Sequence, residues 1–314
     1  MSISQPAREP LAGLPASVTV YEVGPRDGLQ NESTVVPVAT KAEFVRRLVA
    51  AGLPAVEVTS FVPAAWVPQL GDADELLAAL TGELGGVRHP VLVPNARGLD
   101  RAMACGVTEV AVPASATETF ARRNLNRGLA DSLTMLGGVV EPARAAGLAV
   151  RGYVSMCFVD PWEGPVAATQ VADVVARLLE LGCTEISLGD TTGAAAPGQV
   201  SRLLDELDSR DVPTSALAVH FHDTYGQALA NTLLALQHGV TTVDSSAGGL
   251  GGCPYAESAT GNLATEDLLW TLHGLGIATG VDLPALVATS VWMSAQLGRP
   301  SESAVVRALA GTPA

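Results

Sequence analysis

The stretch Val171-Ala-Asp-Val-Val-Ala-Arg-Leu-Leu-Glu-Leu-Gly182-Cys-Thr-Glu185-Ile-Ser-Leu-Gly-Asp190 decides the fold. A helical run rich in Ala, Leu and Arg stops at a glycine, and a short apolar run follows and ends in polar residues. The same order recurs along the chain. Apolar runs lie at 18–23, 55–61, 90–93, 109–113, 150–158, 185–188, 217–221 and 242–245, with helix candidates such as 40–51, 133–146, 166–181, 198–208 and 227–238 between them. Gly52, Gly106, Gly147, Gly182 and Gly239 each close a helix just before the next strand, and Thr40, Asp131 and Asn231 read as helix caps. Strand, helix, glycine, strand is the signature of βα units with a parallel sheet.

Eight such units are present, and eight parallel strands close naturally into an α/β (β/α)8 TIM barrel. A dinucleotide-binding alternative fails because no GxGxxG follows the first strand. The expected organisation is a flexible segment over 1–16 and one catalytic domain over 17–310, including a short helical C-terminal extension.

The chain has 314 residues, 48% hydrophobic and 16% charged, which is ample for a large core. Its net charge of −14 disfavours nucleic acid and anionic membrane as partners. Lys41 is the only lysine, and it opens a helix rather than ending a strand, so Schiff-base chemistry is disfavoured. Four scattered cysteines without CxxC spacing fit neither a zinc ribbon nor a disulfide framework. With no secretory h-region and no long apolar span, the reading is a soluble protein of the cytoplasm.

Barrel chemistry sits where strands end at their C-terminal side. Strand one runs into Glu22-Val-Gly-Pro-Arg26-Asp27, strand two holds Glu57 and ends in Thr59-Ser60, and strand six ends in Gly189-Asp190. Strand seven ends in His220-Phe-His222-Asp223. Residues two apart on a strand share a face, so both imidazoles enter the mouth together. With Asp27 they form a nitrogen and oxygen set that favours Mg²⁺ or Mn²⁺ over a structural zinc, with Fe²⁺ and catalytic Zn²⁺ also compatible. Arg26 is placed to stabilise an enolate oxygen. Glu57, mid-strand among apolar residues, needs a partner and is read as orienting Arg26, with a direct acid–base role as the alternative.

Cys253, in the glycine-rich run Gly248-Gly-Leu-Gly-Gly-Cys253-Pro, is read as solvent-reachable and able to give or take a proton, against the blander reading of a small buried hydrophobe. The cluster Arg122-Arg123-Asn124-Leu-Asn126-Arg127 reads first as a solvated face and second as a docking site for substrate phosphates. His89, His238 and His273 lie away from the strand ends.

These residues carry a resemblance. Glu22-Val-Gly-Pro-Arg-Asp-Gly-Leu-Gln-Asn-Glu32, Glu57-Val-Thr-Ser-Phe61, His220-Phe-His-Asp-Thr-Tyr-Gly-Gln-Ala-Leu-Ala-Asn231, Gly249-Leu-Gly-Gly-Cys-Pro-Tyr255 and Gly261-Asn-Leu-Ala-Thr-Glu-Asp267 are similar to the hydroxymethylglutaryl-CoA lyases, within a wider group of metal-dependent lyase and Claisen-type barrels. The match runs from about residue 18 to 308. It implies cleavage of an acyl-CoA to acetyl-CoA and acetoacetate, with Asp27, His220, His222 and Asn262 holding the cation. It further implies Arg26, Asp27, Glu57, Asp190, His220 and Cys253 as the catalytic group. Arg26, Gln30, Ser60, Arg122, Arg123 and Asn124 are the residues expected to bind substrate, and a homodimer is the implied assembly. The base is left open between Asp27, His220 and a metal-bound water.

One departure stands out. Where the family pattern has a segment like Gly-Cys-Pro-Tyr-Glu-Gly, this chain reads Val159-Asp160-Pro161-Trp162-Glu163-Gly164. A Trp and an added acid near the mouth bear on the acyl chain accepted. A longer 3-hydroxy-3-alkylglutaryl-CoA, a Claisen synthase direction and a non-catalytic binding barrel are the alternatives.

Overall fold

The computed structural model describes residues 5–252 and 261–310. Among them, eleven strands and eleven α-helices follow the expected alternation. The strands are β1 (Thr19–Glu22), β2 (Ala55–Val56), β3 (Thr59–Ser60), β4 (Val91–Leu92), β5 (Glu109–Ser115), β6 (Ala149–Ser155), β7 (Val159–Asp160), β8 (Gly164–Pro165), β9 (Glu185–Asp190), β10 (Leu217–Phe221) and β11 (Thr242–Ser245). The helices are α1 (Val38–Ala50), α2 (Ala73–Ala79), α3 (Ala96–Ala104), α4 (Glu118–Leu125), α5 (Leu129–Ala145), α6 (Ala168–Leu181), α7 (Pro197–Asp208), α8 (Ala228–Gln237), α9 (Thr265–Gly274), α10 (Leu283–Leu297) and α11 (Ala304–Ala310).

The main sheet runs β2-β1-β11-β10-β9-β6-β5-β4-β3, all parallel. Its two ends, β2 and β3, are halves of one barrel strand, and that is how the ring closes. β2 pairs with β1 through Tyr21–Ala55 and Glu22–Val56, whereas β3 pairs with β4 through Thr59–Val91 and Ser60–Leu92. At the break, the Glu57 N–H donates to the Glu22 carbonyl at 2.8 Å and the Val58 N–H to the Pro90 carbonyl at 3.0 Å. The second strand, expected as one run over 55–61, is therefore interrupted at Glu57–Val58. The fifth, expected to reach 158, ends at Ser155 and is followed by the β7–β8 hairpin.

The helices bury apolar stripes against the outside of the sheet or, as α10 and α11 do, against neighbouring helices. In α6 the buried set is Val171, Ala172, Val174, Val175, Leu178 and Leu181, the spacing of an amphipathic helix. The glycine stops are required by geometry at Gly52, where φ is +91° and an added Cβ would lie 2.5 Å from the Gly280 carbonyl oxygen. The helix starts differ from expectation: α1, α5 and α8 begin at Val38, Leu129 and Ala228, which places Thr40, Asp131 and Asn231 inside helices. Asn231 instead ties neighbouring units together, its Nδ2 donating to the Ala195 carbonyl at 2.9 Å. α10 packs against α1 and α9 and so completes the outer ring. Near the N-terminus, the Glu9 N–H donates to the Gly274 carbonyl at 2.7 Å. No helix among the described residues is long and apolar enough to cross a membrane.

Barrel interiors are usually filled by branched apolar side chains, but this one also carries buried charge beside small clusters such as Leu92, Ala111 and Tyr153. Arg151 is fully buried, with Nε 2.9 Å from Glu185 and Nη2 2.6 Å from Asp244. Its guanidinium lies 3.8 Å from the Tyr21 ring centre and 4.9 Å from that of Tyr153. This column of charge rises toward the mouth of the barrel.

Candidate active site

After β1 the chain makes a single tight turn, Gly24–Gly28, in which the N–H groups of Arg26, Asp27 and Gly28 all donate to the Val23 carbonyl. Gly28 must be small here, since a Cβ would lie 2.7 Å from Ser246 Oγ and 2.9 Å from Leu250 Cβ. The turn aims Arg26 and Asp27 across the mouth. Arg26 Nε donates to Glu57 Oε2 at 2.6 Å and Nη1 to Asp27 Oδ1 at 2.5 Å. The Tyr153 hydroxyl donates to the same Glu57 oxygen at 3.1 Å, and the Arg26 guanidinium lies 5.2 Å from the Tyr153 ring centre. The break in the second strand thus carries Glu57 beneath Arg26.

His220 Nε2 and His222 Nε2 stand 3.2 Å apart, and His220 Nε2 lies 3.9 Å from Asp27 Oδ2. Ligand atoms of Asp27, His220 and His222 all fall within 4.8 Å of one another. Asn262 bridges antiparallel to His222, and its Nδ2 donates to Asp27 Oδ2 at 2.9 Å and to the Leu250 carbonyl at 3.1 Å. Asn262 Oδ1 is buried with no hydrogen-bond partner among the described residues.

The protonation states match what a divalent cation needs. Burial acts to raise the Asp27 carboxyl, but Arg26 and the two imidazoles hold it well below the usual carboxylate range. Burial, and then His220, push His222 down to about 4, so its ring is neutral near pH 7. An ionised carboxylate, a neutral imidazole and an unpartnered amide oxygen form a donor set suited to such an ion.

The other expected residues are distributed around this centre. Gln30 lines a cavity of about 580 Å³ together with Arg26, Asp27, His220 and His222. Asp190 ends β9 between the cavity-lining Gly189 and Thr191; its Oδ2 accepts from the Ala195 N–H at 3.0 Å, and burial pushes its carboxyl up to about 6. Ser60 is buried and is not part of the cavity wall. Cys253 lies outside the described residues, but Gly252 beside it lines the cavity.

The basic cluster separates into two groups on α4 and its end. Asn124, Leu125 and Arg127 line the cavity. Arg122 instead pairs with Glu118 at 2.6 Å, and the Arg123 guanidinium lies 4.2 Å from the Trp162 ring centre. The departing segment after β6 forms the β7–β8 hairpin, which grips the start of α4. Asp160 Oδ2 accepts from the Thr117 hydroxyl at 2.6 Å and Glu163 Oε1 from the Thr119 N–H at 2.6 Å.

Four residues of the centre were not picked out from the sequence: Tyr153, Arg151, Ser187 and Asp244. Their only sequence signal is polarity inside short strands, with Arg151 and Tyr153 two apart and so on one face.

A sequence profile described as HMGL-like matches residues 17–292. The chain is 51% identical over 297 residues to the mitochondrial hydroxymethylglutaryl-CoA lyase of Arabidopsis thaliana, covering 95% of this chain and 63% of that protein. It is 47% identical over 305 residues to the cytoplasmic 3-hydroxy-3-methylglutaryl-CoA lyase of Rattus norvegicus, covering 96% of this chain and 88% of the relative. The solved structure of hydroxymethylglutaryl-CoA lyase from Pseudomonas aeruginosa superposes with a TM-score of 0.92 at 47% identity, covering 95% of this chain and 99% of that one.

Proposed function

The chain belongs to the HMGL-like family, and from that premise we propose that it cleaves 3-hydroxy-3-methylglutaryl-CoA to acetyl-CoA and acetoacetate. It is a carbon–carbon lyase. The observation that carries the reading is one mouth in which Asp27, His220 and His222 converge beside Arg26, with the Asn262 amide hydrogen-bonded to Asp27 and its oxygen left without a partner among the described residues.

A Mg²⁺ or Mn²⁺ ion bound by those four residues would lower the pKa of the substrate's tertiary hydroxyl and polarise a neighbouring acyl oxygen. The hydroxyl proton leaves to Asp27 or to a water beside it, since His220, with Nε2 turned to the cation and Nδ1 beside Asp244, has no lone pair to receive it. The oxygen lone pair becomes the new ketone of acetoacetate, the C2–C3 bond breaks, and its electrons pass to the thioester as an enolate. Arg26 stabilises that enolate oxygen, held in place by Glu57 and Asp27. A proton returned to C2, with Cys253 as the proposed donor, completes acetyl-CoA and leaves the reaction balanced. Asp190 supports the polar network at the end of β9. The apolar wall of Pro63, Trp66, Leu125 and Met135, with Asn124 and Arg127 beside it, suits the pantetheine arm and the phosphates of an acyl-CoA.

The β7–β8 hairpin is absent from the cavity wall, so the departure at 159–164 gives no ground for a longer acyl chain. A series of 3-hydroxy-3-alkylglutaryl-CoA substrates tests this. The methyl compound should have the highest kcat/KM, and a higher value for an ethyl or longer chain would reassign the substrate. A cytoplasmic location and a homodimer, to be checked by fractionation and light scattering, belong to the same proposal.

A further inference from the structure

We propose that Asp244, backed by Arg151, is a positioning residue that fixes the tautomer of His220 and so presents its Nε2 lone pair to the metal; the proposal rests on the cation site described above. Parallel pairing of β10 and β11 sets His220 directly beside Asp244. His220 Nδ1 lies 3.2 Å from Asp244 Oδ2. An ionised carboxylate only accepts hydrogen bonds, so Nδ1 must carry the proton, and a neutral imidazole then keeps its lone pair on Nε2. That nitrogen faces His222 and Asp27.

The carboxylate is itself fixed by three hydrogen bonds from two residues. Arg151 Nη2 donates to Oδ1 at 2.6 Å, Nη1 donates to Oδ2 at 3.2 Å, and the Ser187 hydroxyl donates to Oδ2 at 2.9 Å. Arg151 is anchored in turn by Glu185 and by two tyrosine rings. The chain of contacts Glu185–Arg151–Asp244–His220 therefore runs from the start of β9 to the mouth without leaving the barrel interior. His222 has no counterpart to Asp244: its Nδ1 is buried and unpartnered among the described residues. The two imidazoles are thus unequal, one held ready and the other free to change tautomer as the ion binds.

The test is Asp244→Asn in the full chain, with His220 tautomer read by ¹⁵N-histidine NMR on metal-stripped protein and Mn²⁺ affinity read by EPR. Arg151 would claim the amide oxygen, turning the Asn NH₂ toward Nδ1 and favouring the Nε2–H form, which cannot ligate through Nε2. The expected result is the Nδ1–H tautomer in the unsubstituted protein, a shift toward Nε2–H in the variant, and a Mn²⁺ Kd raised roughly 10- to 100-fold. Unchanged tautomer and affinity in the folded variant would overturn the proposal. So would an Nε2–H His220 in the stripped, unsubstituted protein, a measurement that needs no variant. Failure of the unsubstituted protein to bind Mn²⁺ would overturn the metal reading instead, and the tautomer measurement keeps the two failures apart.

Discussion

Replacing Arg26 with Met removes the charge that the mechanism places against the enolate while keeping the unbranched stem of the side chain. Arg26 is 6% exposed and lies between Glu57, Asp27 and the Tyr153 ring, so little solvent is available to substitute for it. Loss of one preorganised oxyanion donor costs roughly 10²–10³ in kcat, or about 2.7–4 kcal/mol. A second effect must be separated from this. The variant strands the Glu57 carboxylate, which is fully buried and among the described residues retains only the Tyr153 hydroxyl as a hydrogen-bond partner, and removing one partner of a buried ion pair typically destabilises by about 3–5 kcal/mol. The Arg26→Met/Glu57→Gln double variant removes the stranded charge, so it should regain most of the lost stability and none of the lost rate. The assay is acetyl-CoA release at saturating substrate and Mg²⁺, beside urea denaturation of each variant. A folded Arg26→Met enzyme with kcat within about tenfold of the unsubstituted value would refute the enolate role.

Further predictions concern the metal, the substrate wall and pH. His222→Ala should weaken Mn²⁺ binding by at least roughly 10-fold in equilibrium dialysis, and unchanged affinity would remove it from the ligand set. Arg127→Ala should raise KM for acyl-CoA several-fold with little change in kcat, whereas Arg122→Ala should leave KM unchanged because Arg122 is already paired with Glu118; equal effects would contradict that division. Burial pushes Glu22 up to about 7 and Glu266 up to about 8, both from about 4.5. These folded-state values lie above the unfolded ones, so the stability is fully present below about pH 4.5 and is lost as pH climbs through 7 and 8. The slope is at most about 1.4 kcal/mol per pH unit per group. Glu266→Gln should flatten the decline between pH 5 and 8 in urea titrations, and an identical slope would contradict the assignment.

The barrel was legible because its βα units repeat with a glycine stop, and a repeated local pattern survives errors at any one element. The mouth was legible because charged residues ending several strands of one barrel must converge, which places Arg26, Asp27, His220 and His222 together without knowledge of side-chain geometry. The break at Glu57–Val58 was not legible, since 55–61 reads as one apolar run and only the pairing of its halves with different neighbours divides it. Asp244 and Arg151 were missed for a related reason. A lone polar residue in a short strand has no meaning until register sets it beside a partner, here His220 and Asp244 in parallel pairing. Asn262 came from resemblance alone, because an Asn outside regular structure has no periodic signal. The basic cluster 122–127 carried two readings, a solvated face and a phosphate dock, and its spacing could not divide them: Arg122 pairs with Glu118 and Arg123 lies against Trp162, while Asn124 and Arg127 line the cavity.

The central claim is tested most directly by acetyl-CoA and acetoacetate release from 3-hydroxy-3-methylglutaryl-CoA, using chelator-stripped protein before and after Mg²⁺ or Mn²⁺ is restored. The account predicts no release from the stripped protein and equimolar release of both products once either ion is returned. Release that is indifferent to metal, or none from folded, metal-loaded protein, would contradict it.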